Sequence, residues 1–169
     1  MAATATTDLC DRHETDVLAG VVQLMRPGLL AFGQRTHFQG QAATLKIFED
    51  NTSLAQIVKS PGKGRVLLVD AGESLRCAVL GGNLAQTAAE NSWSGIVIAG
   101  AVRDADELDA CALGIRALGV CPRRSIKRAE GEAEIRIVLL GVVAVPGDWV
   151  YADRDGVIVA PRPLHLCRS

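Results

Sequence analysis

The chain has 169 residues, 49% of them hydrophobic and 22% charged; this is a globular mixture with enough length for a sizeable core, and it excludes disorder. Eighteen Lys and Arg against 19 Asp and Glu leave a formal charge of −1, which argues against a dedicated nucleic-acid surface. No apolar run reaches the roughly 18–20 residues of a membrane span.

Residues 1–7 lack the basic and apolar regions of a secretory leader, and Asp8 and Asp11 follow at once, against a transit peptide. Thr7 is expected to cap a short first helix with Leu9, Cys10 and Val17 on its apolar side. Residues 40–48 alternate loosely and read as a strand. Asn51 or Thr52 caps a helix to about residue 59, with Leu54, Ile57 and Val58 at helical spacing; Ser60-Pro61-Gly62 stops it. The run 65–70 is continuously apolar, as in a strand covered on both faces, and 76–80 is a second short strand. A helix over 83–92 turns Leu84, Ala85, Ala88 and Ala89 inward. Residues 96–102 form another buried strand, and 104–113 a helix. Strands over 115–120, 135–140, 142–145 and 156–160 close the chain, the late ones with hairpin-like spacing. Helices and strands alternate in the middle and strands cluster at the end, which predicts an α/β fold with a mixed, partly parallel sheet and an added β layer. No repeat or linker divides it, so one domain is expected over 1–169, with short flexible ends at about 1–6 and 165–169.

The cysteines, Cys10, Cys77, Cys111, Cys121 and Cys167, are odd in number, widely spread and without a CxxC pair. That is the pattern of reduced thiols in a cytoplasmic protein, with Cys167 in the tail the most exposed. His13, His37 and His165 show no zinc-ligand spacing.

Two loops carry candidate chemistry. Gly81-Gly82-Asn83-Leu84 lies between a strand and a helix. It reads either as a Gly-Gly turn with Asn83 as N-cap or as a cradle of free helical amides for a carboxylate or phosphate. Arg103-Asp104-Ala105-Asp106-Glu107 also follows a strand and opens a helix. Its acidic residues either favour the helix dipole or, three apart on one face, offer hard oxygens to Mg²⁺ or Mn²⁺. Arg103 supplies a planar fork for a carboxylate or a developing enolate oxygen. Both loops fall at strand ends, where open α/β sheets bind ligands. Together they suit a 2-oxo acid and its enolate.

Gly82, twenty residues, Arg103-Asp104, two more, then Glu107 resembles the G-x20-R-D-x2-E/D signature of one family. That family joins the regulator of ribonuclease E activity A (RraA) with the 4-hydroxy-4-methyl-2-oxoglutarate aldolases. The likeness runs from about residue 7 to 164. It includes Asp8-Leu9-Cys10-Asp11, Phe48-Glu49-Asp50-Asn51, the stretch 62–70, Gly100-Ala101-Val102 and Tyr151-Ala152-Asp153. The resemblance implies a layered α/β/β sandwich of swivelling-domain type and a ring-shaped homotrimer with sites near subunit interfaces. It implies an aldolase that cleaves 4-hydroxy-4-methyl-2-oxoglutarate to two pyruvates and decarboxylates oxaloacetate through a shared enolate. By the family's pattern Gly81, Gly82, Asn83 and Leu84 hold the substrate carboxylate and Arg103 contacts the 2-oxo acid. Asp104 anchors a divalent metal, Mg²⁺ or Mn²⁺, with Glu107 completing the acidic side. The alternative implied is a non-catalytic regulator that binds ribonuclease E or an RNA helicase. That branch lacks the aspartate of the R-D pair, which this chain keeps.

Two stretches depart from the family: Asp70-Ala71-Gly72-Glu73-Ser74 replaces a glycine run, and 121–128 is unusually basic. The first is also faintly like a methyltransferase D-x-G-x-G loop without its last glycine. The second reads as a solvated loop or a contact for RNA or an acidic partner. Lys46, Lys59, Lys63 and Lys127 lie outside both candidate loops, against Schiff-base chemistry. Trp93, Trp149 and Tyr151 read as core or interface residues.

Overall fold

The apolar runs in the middle of the chain become the centre of one large sheet. The computed structural model describes residues 4–166. In chain order the elements are α1 (Thr6–Arg12), α2 (Glu14–Leu18), β1 (Gln23–Leu24), β2 (Leu30–Phe32), β3 (Phe38–Lys46), α3 (Thr52–Val58) and β4 (Val66–Asp70). There follow β5 (Ala78–Leu80), α4 (Gly82–Glu90), β6 (Gly95–Val102), α5 (Ala105–Ala110) and β7 (Gly114–Val120). The chain ends with β8 (Glu132–Ala133), β9 (Ile137–Leu139), β10 (Val142–Ala144), β11 (Trp149–Ala152) and β12 (Val157–Ala160).

The ten-stranded sheet has the order β1-β12-β11-β3-β4-β6-β7-β2, with β5 also on β6 and β8 on β3. Strands β3, β4, β6 and β7 are parallel, as are β5 and β6; the flanking pairs are antiparallel. The mixed α/β fold is therefore as expected. Alternation along the central strands divides two cores. Leu67, Val69, Ile96 and Ile98 pack with Leu54, Val58, Ala85, Ala88 and Leu108 of α3, α4 and α5. Val66, Leu68, Val97 and Ala99 pack with the β9–β10 hairpin through Ile137, Leu139, Val142 and Ala144, and with Val150, Val157 and Val159 of β11 and β12. A third cluster joins Leu9 of α1 to Val22, Tyr151, Ile158 and Leu164.

Several elements differ from expectation. β11 was expected only as core or interface aromatics. Its residues in fact alternate: Tyr151 packs in the α1 cluster with Trp149 against it, and Val150 and Ala152 in the hairpin core. α2, β1, β2 and β8 span two to five residues, too short for a periodicity to emerge. α5 stops at Ala110, short of residue 113, because Cys111 turns extended (φ −77°, ψ 137°). α1 starts at Thr6, one residue before the expected cap at Thr7, and has no side-chain cap.

Side-chain contacts hold Thr6 and His165 near the two ends of the described residues. Thr6 is buried, and both its N–H and Oγ1 donate to the Asp153 carboxylate at 2.7 Å. His165 Nδ1 lies 2.8 Å from Tyr151 Oη, which also accepts from the Leu164 N–H. Burial pushes the Asp153 carboxyl up, but the bonds it accepts from Thr6, Asp155 and Gly156 prevail and hold it below its ordinary value. Among the described cysteines, Cys10, Cys77, Cys111 and Cys121 are unbridged; Cys167 lies outside the described residues. No helix among the described residues is long and apolar enough to cross a membrane.

Trp93 is fully buried beneath α3 and α4, with its Nε1–H on the Ser60 carbonyl at 3.1 Å. Gly62 lets it in, since a Cβ there would lie 2.6 Å from the indole. Trp93→Ala is expected to lower unfolding stability by about 3–5 kcal/mol in chemical denaturation followed by circular dichroism.

Candidate active site

The parallel pairing of β5 with β6 brings the two candidate loops together. Ala78 pairs with Ala101 and Leu80 with Val102, and the Arg103 N–H donates to the Leu80 carbonyl at 2.9 Å. Gly81 and Arg103 therefore leave neighbouring strands at the same carboxyl edge, where α/β sheets place ligands.

The approach of the loops is close enough to require glycine. A Cβ on Gly81 would lie 2.6 Å from Asp104 Oδ2, and one on Gly82 would lie 2.7 Å from Glu107 Cβ and inside the Glu107 carboxylate. The Gly82 N–H donates to Asp104 Oδ2 at 3.1 Å. α4 is thus capped from another element. Its N-cap is Gly81, with no side chain of its own, and not Asn83. The amides of Asn83 and Leu84 precede the first intrahelical bond, from the Ala85 N–H to the Gly81 carbonyl at 3.1 Å. Helix geometry leaves such amides without a helical acceptor.

Asp104 departs from expectation. It does not share a helical face with Glu107; it is the N-cap of α5, in the left-handed region at φ 60° and ψ 50°. That conformation costs a non-glycine residue about 1–2 kcal/mol, and such strain gathers at functional sites. The turn sends its carboxylate back over α4, with Arg103 Nε 3.8 Å away.

Gly81, Asn83, Leu84, Arg103 and Asp104 line one cavity of about 280 Å³. Gly82 and Glu107 are not part of its lining; they pack on each other beside it. The rest of the polar lining was not expected. It is made by Asn51, Arg124, Ser125 and Lys127, so the basic stretch is part of the site and Lys127 belongs beside the candidate loops after all. A readable signal existed. β7 is the next parallel strand, and residues 121–127 leave its carboxyl end as the other two loops leave theirs.

Backbone bonds hold this third segment. The Ala78 N–H donates to the Arg123 carbonyl (2.8 Å), the Ser125 N–H to the Ala78 carbonyl (3.1 Å), and the Ile126 N–H to the Glu49 carbonyl (3.0 Å). The buried Asp50 carboxylate fastens it to α3. Its Oδ1 accepts from the Thr52 N–H (2.8 Å) and Oγ1 (2.7 Å), and its Oδ2 from the Arg128 N–H (2.6 Å) and the Glu130 N–H (3.3 Å). Burial pushes this carboxyl up, but those four donors outweigh it and hold the pKa at about 2, against an ordinary 3.8.

Parallel strands bring the first amides of α4, an arginine and an aspartate to one carboxyl edge of an α/β fold, the place where such sheets take ligands. The chain belongs to the RraA-like family (Aldolase/RraA), which matches residues 6–159. A Cupriavidus taiwanensis protein, provisionally named 4-hydroxy-4-methyl-2-oxoglutarate aldolase, is 51% identical over 160 residues, covering 95% of this chain and 97% of its own. Two solved structures share the fold. The RNA-processing inhibitor RraA from Thermus thermophilis has a TM-score of 0.88 and 40% identity, covering 95% of this chain and 94% of its own. A structure named S-adenosylmethionine:2-dimethylmenaquinone methyltransferase, from Geobacillus kaustophilus HTA426, has a TM-score of 0.89 and 36% identity, covering 98% and 100%.

Two expectations follow from this geometry. Gly82→Ala should cost about 1–3 kcal/mol through overpacking on Glu107. Adding Glu107→Ala should recover part of it, and a double-mutant cycle from denaturation curves reads the coupling. For Asp50, the folded pKa lies below the unfolded one. Its stabilisation is therefore complete above about pH 4 and lost as the pH falls toward about 2. Thermal melts of wild type and Asp50→Asn should differ most above that window and converge at its acid end.

Proposed function

We propose that this chain is a divalent-metal-dependent aldolase that cleaves 4-hydroxy-4-methyl-2-oxoglutarate to two pyruvates and decarboxylates oxaloacetate. The observation that carries the reading is the convergence of the α4 amides, Arg103 and Asp104 on one cavity. The names of relatives at about half identity support it, as does the aspartate of the R-D pair at position 104.

Both reactions break the C3–C4 bond of a 2-oxo acid. In the aldol cleavage the C4 hydroxyl gives up its proton, C4 becomes the ketone carbon of one pyruvate, and the bonding electrons pass to C3 and the 2-oxo oxygen as the enolate of the other. In decarboxylation CO₂ leaves and the same enolate remains. Protonation at C3 completes each. In this reading the amides of Asn83 and Leu84 take the C1 carboxylate. Arg103 donates to the 2-oxo oxygen, where charge grows in the transition state.

Among the described residues no three His, Cys, Asp or Glu side chains form a metal cluster. Asp104 nevertheless offers a carboxylate to the cavity, and one or two carboxylates with water completing the shell is the usual protein share of a Mg²⁺ site. The residues fit such an ion, held by Asp104 with Glu107 beside it, and a bound ion supplies Lewis-acid stabilisation of the enolate oxygen. Asp104 also keeps the Gly82 amide engaged, so it orients the carboxylate-binding turn as well.

A second reading, regulation of a ribonuclease E-type enzyme by protein contact, is supported by the 40% identity to an RNA-processing inhibitor. It needs neither Arg103 nor Asp104. Assembly as a homotrimer is part of the proposal under either reading. Pyruvate release with Mg²⁺ and with EDTA, read through lactate dehydrogenase, separates the two. The enzyme reading expects metal-dependent release, and a fall of about 10²–10³ or more on Asp104→Ala or Arg103→Ala. Full activity in Asp104→Ala would remove that residue from the mechanism.

A further inference from the structure

The side of the sheet turned toward the β9–β10 hairpin holds a buried cation without a counter-ion. Arg116 of β7 pairs with Val97 of β6, a member of the hairpin core, and its guanidinium lies 5.2 Å from the Phe38 ring. The residue is 3% exposed. Its donors go to main-chain carbonyls alone. Nε reaches Asp153 (3.3 Å), Nη2 reaches Asp153 (2.8 Å) and Thr36 (2.7 Å), and Nη1 reaches Ile115 (2.9 Å). A guanidinium has five N–H groups, so one on Nη1 has no acceptor among the described residues. No carboxylate among them forms an ion pair with Arg116 either. Burial pulls its pKa below the ordinary value, with the Asp153 charge opposing. A buried charge normally has a partner.

Arg116 lines a cavity of about 170 Å³ with residues 25–29 and the turn 153–157. This cavity shares no residue with the candidate active site. Three cations line it, Arg26, Arg116 and Arg154, and two carboxylates, Asp153 and Asp155. Arg26 is paired with Glu73, outside the lining. Asp153 is spent on the bonds it accepts from Thr6, Asp155 and Gly156. The Arg154 and Asp155 side chains are exposed and form no ion pair among the described residues. What is left is Arg116 and Arg154 against Asp155, one positive charge in excess. That balance attracts a single negative charge and disfavours a double one. A carboxylate suits it, with one oxygen for the free Arg116 N–H and the other for the Arg154 fork. Gly28 leaves room at the cavity. Its φ is 109°, a Cβ there would meet nothing within 4 Å, and its N–H has no partner among the described residues.

We propose that Arg116 and Arg154 form a binding site for a small monocarboxylate, separate from the candidate active site and on the other side of the central strands. The site does not depend on the aldolase reading, since none of its residues takes part in that reaction.

Acetate is the probe, titrated into ¹⁵N-labelled protein without divalent metal at neutral pH. Saturable shifts are expected at the Gly28 and Arg154 amides and at the Arg116 Nε–H, and they should persist in Arg103→Gln. Arg154→Gln should weaken acetate about tenfold, the yield of one charge-assisted bond, and should melt with wild type because the side chain is exposed and unpaired. Wild type should bind acetate more tightly than the malonate dianion. Asp155→Asn removes the opposing charge, so it should tighten both and malonate the more. Shifts that do not saturate, an equal response to chloride, or an acetate affinity unchanged in Arg154→Gln each overturn the site. The same shifts produced by raising protein concentration alone would mean that a carboxylate of a second copy fills the cavity, and they overturn it too.

Discussion

The site depends on a contact between the bare glycine backbone that begins α4 and the side chains of the turn that begins α5. Gly81 and Gly82 begin α4 against the turn that begins α5, at distances where any Cβ would strike Asp104 or Glu107. From that contact comes the bond from the Gly82 N–H to Asp104. That bond in turn requires Asp104 to hold a left-handed conformation that its own helix does not need. One constraint therefore accounts for the glycines, the strain and the placement of Arg103 over the amide cradle.

A second anchor holds another part of the lining. Asp50 caps α3 and fastens 128–130 with a single carboxylate. It thereby helps to hold Asn51, Arg124, Ser125 and Lys127, which line the same cavity as Arg103. The two anchors are independent. The Gly82–Asp104 contact organises the starts of α4 and α5, and Asp50 organises α3 and the segment that follows β7. The same parallel sheet supports both, because β3, β5, β6 and β7 end at one edge.

The family's different names are reconciled at this level. Sequence identity of 51% links this chain to a protein named for aldol cleavage, and TM-scores near 0.9 link it to structures named for RNA-processing inhibition and methyl transfer; a fold does not fix a reaction. What separates the readings is the chemistry at the carboxyl edge. An aspartate held beside an arginine and a set of free amides suits an enolate, whereas a regulator acting by surface contact has no need of that strained turn.

Much of this was legible from residue order. Continuous apolar runs marked the buried parallel strands, because a strand covered on both faces has no polar side to show. The spacing from Gly82 to Arg103-Asp104 and Glu107 marked the two loops. The strands β1, β2 and β8 left no trace, because they hold their place only through partners distant in the chain: β1 on β12, β2 on β7, β8 on β3. The sequence by itself determined the central parallel strands, the helices α3 and α4, and the residue types at the strand ends, all of them local consequences of periodicity and backbone preference. Only the tertiary structure decided that Asp104 points at Gly82 rather than along its helix, and that a stretch reading as solvated basic loop lines the cavity. Both outcomes rest on contacts between segments twenty to eighty residues apart, which no local pattern encodes.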